Sequence, residues 1–341
     1  MQLQAIRTLS ELEALAGEWN DLLHDSASDV PFLRHEYLKT WFQTLGGGEW
    51  PHGDLYTLAG RSPQGKLAGI APLFLTTNRD GETALMLLGS IEISDYLDII
   101  TRPEDLMAFV EELFDYLASS QAPEWKSLDL WNLLDSSATL PVLKGAAARR
   151  GWSYVQEALQ HCPYIPIPGD WEQYLADQVD KKQRHEIRRK MRRVESYDEP
   201  VRWYIVQDES SLEGEIQAFL QLMAHDPAKR RFLTDAMRSQ MRLGAWDAWR
   251  NGYLQLAFLE INGQKAAGYL NFDYNNHIWV YNSGLDFAYR ELSPGWVLLG
   301  HLLQWANENR RAIFDFLRGE EDYKYRFGGI DRRVVRVKIS R

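Results

Sequence analysis

The stretch "YRELSPGWVLLGHLLQWANE", residues 289–308, predicts a helix with an unusual first turn. Ser293, Pro294 and Gly295 stand directly before an apolar run with helical spacing. Small residues leave the N–H groups of a first turn accessible, and these groups attract anions together with the positive end of the helix dipole. Two interpretations are open. The turn binds an anion, or Ser293 caps the helix and Pro294 and Gly295 are ordinary N-terminal residues.

The sequence on both sides of this helix predicts strands. "YLQLAFLEINGQKAAGYLNFDYNNHIWVYNSGLD", residues 253–286, reads as three strands joined by the hairpin turns "NG" and "NN". "AIFDFLRG", 312–319, predicts a further strand, and "EDYKYRFG", 321–328, a short helical turn. The second half of the chain therefore predicts a mixed, mostly antiparallel sheet flanked by helices.

The first half repeats this pattern. "LYTLAGRSPQGKLAGIAPLFL", residues 55–75, has the same order of strand, glycine-containing turn and strand as residues 254–274. A predicted helix over 103–120 leads to the strand "SLDLWNLL", 127–134, which falls where "AIFDFLRG" falls in the second half. Two copies with a period near ~170 residues indicate an internal duplication rather than a solenoid.

The length of 341 residues also favours two domains. We predict an α/β (mixed α+β) protein with domains 1–160 and 161–341. The boundary is expected in an exposed segment near 155–170, where "HCPYIPIPGD" carries three prolines.

The composition excludes several classes of protein. The net charge of -10 argues against nucleic-acid binding over the whole surface. Cys162 is the only cysteine, which excludes an internal disulfide and a Cys-based zinc site, and the histidines show no paired ligand spacing, so no metal is expected. We see neither a leader-like N-terminus nor an apolar run of the roughly 18–20 residues that span a bilayer, and therefore expect a cytoplasmic protein without a membrane span.

One segment departs from the acidic average. "KKQRHEIRRKMRR", residues 181–193, holds eight Lys or Arg against one Glu. Ile187, Met191 and Val194 lie at helical spacing, which predicts a helix with one buried seam and an otherwise basic surface. Most such segments are solvated faces. Alternatively, this basic helix attracts the phosphates of CoA, an anionic glycan or lipid carrier, or RNA.

The loop before the helix at 294 resembles a known motif. Arg290-Glu-Leu-Ser293-Pro-Gly295 is similar to the Gln/Arg-x-x-Gly-x-Gly/Ala loop of the GNAT acetyltransferases, with Ser293 at the first Gly. In that family the amides of the loop hold the pyrophosphate of acetyl-CoA. The series "YNSGLD…YRELSPGWVLLGHLLQWA…FDFLRGEEDYKYRFG" looks like the CelD-like branch, which is associated with cellulose and other polysaccharide biosynthesis. The duplication resembles the Fem peptidoglycan transferases, which pair two GNAT-like domains.

The resemblance implies two tandem GNAT-like domains with different roles. The first half has "TRPEDLMAF" in place of the loop, and Glu104 and Asp105 would repel a pyrophosphate. The first domain is therefore expected to be degenerate and the second to bind acyl-CoA and carry the catalysis. The implied activity is transfer of an acetyl or acyl group from acyl-CoA to an amino or hydroxyl group of a small molecule, a sugar or a polysaccharide precursor.

The resemblance also assigns the cofactor-binding residues. They belong to the strand before the loop and to the loop itself: Tyr281, Asn282, Ser283, Arg290, Ser293, Pro294, Gly295 and Trp296.

The catalytic residues are expected near the end of the motif. The acid that reprotonates the thiolate is expected just beyond the following strand, where Tyr323 is preferred over Tyr325, although either could pack against the sheet instead. Asp315 lies in an apolar strand, so we expect a partner or a raised pKa. Either Asp315 or Glu321 is the base, or Asp315 forms a buried ion pair.

The residues expected to contact the acceptor come from both halves of the chain: Asp95, Tyr96, Asp98, Asp286, Arg318 and Lys324. Arg318 and Lys324 are also the possible ion-pair partners of Asp315.

Two other functions remain open from the sequence. A Fem-like enzyme would take its acyl group from aminoacyl-tRNA, and the basic helix at 181–193 would hold the RNA. A non-catalytic binding module with a degenerate site is the other alternative, and Ser293 in place of glycine supports it.

Overall fold

The computed structural model describes residues 1–341, which fall into two compact units. Unit 1 contains residues 1–160 and 333–341, and unit 2 contains residues 161–332. None of the helices has both the length and the apolar character needed to cross a bilayer.

The chain forms twelve helices. They are α1 Leu9–Glu13, α2 Ala16–His24, α3 His35–Gly48, α4 Leu106–Ala118, α5 Thr139–Arg149, α6 Trp171–Gln178, α7 Lys181–Glu195, α8 Glu209–Met223, α9 Pro227–Phe232, α10 Asp235–Arg250, α11 Pro294–Glu308 and α12 Asp322–Arg326. Short 3₁₀ turns cover Pro31–Leu33 and Phe287–Leu292.

Sixteen strands complete the secondary structure. They are β1 Gln2–Ile6, β2 Asp54–Leu55, β3 Thr57–Arg61, β4 Leu67–Ala71, β5 Leu73–Thr77, β6 Thr83–Leu87, β7 Ile100–Thr101, β8 Ser127–Leu134, β9 Ser153–His161, β10 Tyr164–Pro166, β11 Val201–Ile205, β12 Leu254–Ile261, β13 Gln264–Tyr274, β14 His277–Leu285, β15 Ile313–Asp315 and β16 Arg333–Ser340.

Unit 1 contains two sheets, with strand orders β1-β3-β4-β7 and β2-β5-β6-β8-β16-β9. The continuous apolar run "KLAGIAPLFLTT" predicts one strand, but the structure divides it into β4 and β5, which belong to different sheets. Pro72 stands between them. Because proline has no N–H to donate to a ladder, it ends the first strand and lets the chain enter the second sheet.

The last strand of the chain closes unit 1, although the sequence placed residues 333–341 in the second domain. β16 lies between β8 and β9 in the six-stranded sheet. Arg336 donates to both carboxylate oxygens of the fully buried Asp129, at 2.7 Å each, and to Asp80 at 2.7 Å. Such pairing between residues some 200 positions apart has no signal in the local sequence.

Unit 2 is built around one six-stranded sheet of order β10-β15-β14-β13-β12-β11. All neighbours are antiparallel except β14 and β15. The "NG" and "NN" turns join β12 to β13 and β13 to β14 with positive φ at Asn262, Gly263, Asn275 and Asn276, as predicted. Asparagine and glycine favour these turns because they adopt positive φ most readily.

Helices cover both faces of this sheet. Successive strand residues point to opposite faces. A Cβ at Gly268 would meet Phe219 of α8, whereas the neighbouring Tyr269 bonds to Gly295 in the first turn of α11. The helices α8 and α11 therefore lie on opposite sides of β13 and β14.

The two units share a structural motif. In unit 1 the parallel strands β6 and β8 are connected through α4, and in unit 2 the parallel strands β14 and β15 are connected through α11. "SLDLWNLL" and "AIFDFLRG" thus occupy equivalent positions, as the sequence comparison suggested. The predicted fold class, mixed sheets flanked by helices, is confirmed.

The segment 155–170, where the boundary between the domains was expected, is largely strand. β9 and β10 occupy most of it, and both lie at the edges of their sheets. An edge strand tolerates proline because one side of its backbone needs no ladder hydrogen bonds. Pro166 is paired with Ile313 in this way.

The Arg336–Asp129 pair gives a test of the closing strand. Replacing Arg336 by Met leaves a buried carboxylate without its partner, which costs about 3–5 kcal/mol. We expect R336M to unfold at lower urea concentration than the parent protein. R333M removes the same charge from an exposed position of the same strand and should change the midpoint little. Equal midpoints for R336M and R333M would contradict the assigned role of Arg336.

Candidate active site

The carboxyl half of β14 has no neighbouring strand on one side. β14 pairs with β15 only from His277–Ile313 to Trp279–Asp315, whereas its pairing with β13 continues to Leu285. The β13–β14 register shifts where Asn282 faces Leu270 and Val280 faces Asn271, so Tyr281 is the additional residue of a β-bulge. Bulges redirect the strand and are common next to active sites. The backbone beyond the bulge therefore has no strand partner on the side facing away from β13.

The first turn of α11 begins next to this strand. Ser293 adopts a left-handed conformation, φ 52° and ψ 50°, and its side chain makes no cap hydrogen bond. The amides of Gly295 and Trp296 have no hydrogen-bond partner in the protein. Of the two interpretations of the sequence, side-chain capping by Ser293 does not occur, and the bare amides remain as a positively polarised surface.

A cavity of about 320 Å³ lies at this helix terminus. It is lined by Tyr269, Ser283, Leu285, Asp286, Phe287, Arg290, Ser293, Pro294, Gly295, Trp296, Leu299 and Tyr323. The structure thus brings together eight of the residues singled out in the sequence and adds Tyr269, Leu285, Phe287 and Leu299.

Two tyrosines, Tyr269 and Tyr323, line the cavity. Tyr269 donates to the carbonyl oxygen of Gly295 at 3.4 Å. Tyr323 packs edge-on against Phe316, and its hydroxyl has no hydrogen-bond partner. Burial, reinforced by the nearby charge of Glu321, raises the pKa of Tyr323 above its usual value of 10.0. This phenol therefore stays protonated well above neutral pH and can give a proton to a group in the cavity.

Comparison with known proteins identifies the architecture. Residues 181–325 match the family model of the acetyltransferase (GNAT) domain. The protein has the GNAT acetyltransferase fold. Every residue that lines the cavity lies inside the matched segment.

Several solved structures resemble this chain over almost its whole length. The crystal structure of FemX superposes with a TM-score of 0.67 at 10% identity, covering 99% of this chain and 97% of that one. A conserved protein of unknown function from Bacteroides thetaiotaomicron gives 0.59 at 12% identity with 100% of both chains covered. L-PGS from Bacillus licheniformis gives 0.56 at 10% identity, covering 96% of this chain and 90% of that one. No curated protein matches the sequence.

Gly295 also contributes to packing within unit 2. A Cβ at this position would lie 2.5 Å from Cδ2 of Leu285 on β14. A side chain at this position would require Leu285 to shift, so glycine lets the first turn of α11 lie directly against Leu285. Gly284 allows close packing on the other face of the sheet, because a Cβ added there would lie 2.6 Å from the backbone nitrogen of Met223 at the end of α8.

Lys229 of α9 is a site residue that the sequence analysis missed. Its Nζ donates to Oδ1 of Asn282 at 2.9 Å, to the carbonyl oxygen of Ser283 at 2.5 Å and to Oγ of Ser283 at 3.4 Å. Burial lowers the pKa of Lys229. In the sequence it is one of three consecutive basic residues, with Arg230 and Arg231, and nothing local distinguishes the buried one.

Lys229 stands at a second, smaller cavity of about 120 Å³. This cavity is lined by Leu222, Met223, Asp226, Lys229, Ser283, Gly284, Leu285 and Phe287. Ser283, Leu285 and Phe287 are walls of both cavities.

Asp315 lies outside both cavities, in an ion pair. It is fully buried, pairs with Arg332 and accepts from the amide of Leu317 at 2.8 Å. Arg332 is a partner that the sequence analysis did not name, and it lies 17 positions away, beyond the reach of local sequence patterns. The structure favours the ion-pair interpretation of Asp315.

Glu321 and Lys324 stabilise the turn after β15 and do not line either cavity. Nζ of Lys324 donates to the carbonyl oxygens of Arg318 at 2.8 Å and Gly319 at 3.0 Å, and lies 2.9 Å from the carboxylate of Glu321. Arg318 is likewise absent from both cavity walls, and Tyr325 donates outward to Asp331 at 3.4 Å.

The three acceptor residues predicted from the first half are buried inside unit 1. Asp95, Tyr96 and Asp98 are only 7%, 2% and 3% exposed. Asp98 accepts from the hydroxyls of Ser28 at 2.9 Å and Ser137 at 2.5 Å, and burial raises its pKa. Asp98 thereby links the loops that carry Ser28 and Ser137, because a buried carboxylate requires such donors.

The basic helix α7 has the predicted two-sided character. Asp180 caps its N-terminus, and Ile187, Met191 and Val194 are buried. The opposite face lines an open groove of about 860 Å³ through Lys181, Lys182, Arg184, His185, Arg188 and Arg192. No group of three or more His, Cys, Asp or Glu side chains is arranged to hold a metal ion.

The close approach of α8 to β14 can be tested at Gly284. Replacing it by Ala forces the α8 backbone away from the strand, which should cost about 1–3 kcal/mol in the free energy of unfolding. G214A provides the matched control, because Gly214 is exposed on the same helix with nothing within 4 Å of its Cβ position. Alanine there should stabilise the helix by about 0.5–1 kcal/mol. The contact is misassigned if urea unfolding finds G284A as stable as the parent.

Proposed function

We propose that the protein is an acyltransferase that moves an acetyl or acyl group from acyl-CoA to an amino or hydroxyl group. The observation that carries the proposal is that the segment matching the GNAT domain contains the whole cavity, including the bare first turn of α11. The acceptor is a small molecule, a sugar or a polysaccharide precursor, following the resemblance to the CelD-like family. We expect this activity in the cytoplasm.

The residues present fit an acyl-CoA donor. The amides of Gly295 and Trp296 offer two unpaired N–H groups for a pyrophosphate, and Arg290 adds an exposed cation at the cavity wall. Leu285 and Leu299 give the cavity apolar surface for the arm of the donor. β14 has no strand partner on one side beyond Trp279, and this side offers backbone groups for amides of that arm.

The cavity also contains groups suited to the chemistry. Transfer to an amine requires a proton for the departing thiolate, and Tyr323 is the neutral acid that faces the cavity. Asp286 is the one carboxylate that lines this cavity, and we propose that it binds the amino group of the acceptor. Asp315 and Glu321 have the contacts described above and receive no catalytic role.

The two units are assigned different roles. In unit 1 the helix equivalent to α11 is α4, which begins after Glu104 and Asp105. Two carboxylates there oppose a pyrophosphate. We therefore assign acyl-CoA binding and catalysis to unit 2 and regard unit 1 as a degenerate copy.

Ser293→Asp tests the donor site without harming the fold. Aspartate tolerates the left-handed conformation and favours a helix N-terminus, so stability should be kept or raised. Its carboxylate would accept hydrogen bonds from the free amides of the first turn and repel a pyrophosphate. We expect acetyl-CoA to bind at least ~10-fold more weakly in calorimetric titration, a loss of about 1.4 kcal/mol.

The uncharged Ser293→Asn is the control for that experiment. It has nearly the same shape and should lose less affinity than S293D. Equal affinity of S293D and the parent protein, or no binding of acetyl-CoA by the parent, would contradict the proposed donor site.

The groove on α7 favours a second candidate, transfer from aminoacyl-tRNA as in the Fem transferases. The supporting observation is the six basic residues that line the groove in a protein of net charge -10. Binding of a nucleic acid there would depend steeply on salt, because each phosphate contact releases counterions.

The two candidates can be separated by measuring tRNA binding. If aminoacyl-tRNA is the donor, deacylated tRNA should bind the parent protein, and its affinity should fall steeply between about 50 and 200 mM salt. In K182Q/R192Q the slope of log affinity against log salt should decrease by the equivalent of about two phosphate contacts. K66Q/R333Q removes the same charge from exposed positions of unit 1 and is the control. With acyl-CoA as donor, we expect acetyl-CoA but not tRNA to raise the melting temperature.

A further inference from the structure

Lys229 is a largely buried ammonium group without an ion-pair partner. Its three bonds go to uncharged oxygens of Asn282 and Ser283. The carboxylates of Asp226 and Glu321 act on it only from a longer distance. Burying a charge without a counter-ion costs desolvation free energy, and negative charge that develops nearby recovers part of that cost.

The contacts of Lys229 leave one free donor at Ser283. The carbonyl and hydroxyl oxygens of Ser283 both accept from Lys229. The amide of Ser283 donates to Oδ1 of Asn282 at 2.9 Å. Only the hydroxyl proton of Ser283 has no acceptor in the protein, and Ser283 is a wall of both cavities. The hydroxyl group is thus held by Lys229 in an arrangement that leaves its proton available to a ligand.

We propose that the hydroxyl of Ser283 is a catalytic hydrogen-bond donor to the acyl carbonyl oxygen and that Lys229 is a positioning residue that acts through it. The inference rests on the proposed transfer from acyl-CoA. It gives a specific task to Ser283, which the sequence analysis named only as a cofactor-binding residue. The amide of Ser283 is unsuited to that task because Asn282 already accepts its proton.

The chemistry of the transfer explains the need for this donor. The acceptor nitrogen, as a neutral amine, forms a bond to the acyl carbon, and a pair of electrons from the carbonyl group moves onto its oxygen. The carbon–sulfur bond then breaks, the sulfur takes a proton from Tyr323, and the nitrogen releases its surplus proton to water, from which Tyr323 is reprotonated. Negative charge on the carbonyl oxygen is greatest between these two events. A donor fixed in advance at that oxygen lowers the barrier more than one that must reorient.

Lys229 strengthens this donor in two ways. By donating to Oγ, the ammonium polarises the Ser283 hydroxyl and makes its proton a better donor. By also holding the neighbouring carbonyl oxygen, it fixes the backbone from which the hydroxyl projects. Because Lys229 is largely buried, its positive charge is weakly screened at the cavity.

Infrared difference spectroscopy measures the proposed hydrogen bond without an acceptor. We would bind acetyl-CoA labelled with ¹³C at the carbonyl carbon and compare its stretching band with that of the free thioester. The band should move to lower frequency in the parent protein and return towards the free value in S283A. S283T keeps the hydroxyl and should retain most of the shift. K229M should lose part of the shift while Ser283 is still present.

Kinetics with an amine acceptor found by screening provides the second readout. S283A should lower kcat by about 10²–10³-fold, as the loss of one such donor does elsewhere, with the KM for acetyl-CoA changed less than ~3-fold. K229M should lower kcat at least ~10-fold, and K229R should recover part of that loss. R231M removes a charge from an exposed position on the same short helix and should behave like the parent protein.

The outcomes separate this inference from the proposed function. If acetyl-CoA does not bind the parent protein, both fail. If it binds and the carbonyl band of S283A equals that of the parent, the role of Ser283 is refuted while the transferase proposal stands. A band that changes in K229M but not in S283A would show that Lys229 does not act through Ser283, which also overturns the inference.

Discussion

The departure of β15 from β14 is the constraint on which the candidate active site depends. Only three residue pairs join the two strands, yet β14 continues for six residues beyond the last of them. A sheet that stayed fully paired would have no exposed backbone at this point and no room for a cavity. The bulge at Tyr281 accompanies the separation, and the unpaired half of β14 supplies Ser283 to both cavities.

Two glycines let helices pack closely against β14 from both faces of the sheet. Gly295 brings the first turn of α11 onto Leu285, and Gly284 brings the end of α8 against β14. The first contact places bare amides at one cavity, and the second places α9, with Lys229, at the other. The positively polarised groups of the site therefore come from two helices that meet one strand, so the electrostatics of the site follow from packing.

The two copies of the duplicated motif have diverged in their charges as well as their loops. Unit 1 buries Asp129 against Arg336 and surrounds Asp98 with hydroxyl donors. Unit 2 instead keeps a buried cation at its cavity without a carboxylate in contact. Paired charges stabilise a fold and do little chemistry, whereas an unpaired cation beside a cavity is available to an anionic ligand.

The sequence by itself determined the fold class, the duplication, the hairpins at Asn262 and Asn275 and the position of the bare helix start after Ser293. These features depend on local periodicity, turn chemistry and a short motif, all of which lie within a few residues of each other. The contiguous loop residues Arg290 to Trp296 could be predicted as part of the site for the same reason.

Only the tertiary structure decided which distant groups meet. It paired Asp315 with Arg332, returned the last strand to unit 1, buried Asp95 and Asp98, and selected Lys229 from three consecutive basic residues. Each of these outcomes depends on contacts between segments that are separate in the chain. The type of a charged residue does not show whether it is solvated, paired or held at a cavity. Only the surroundings created by folding distinguish these three environments.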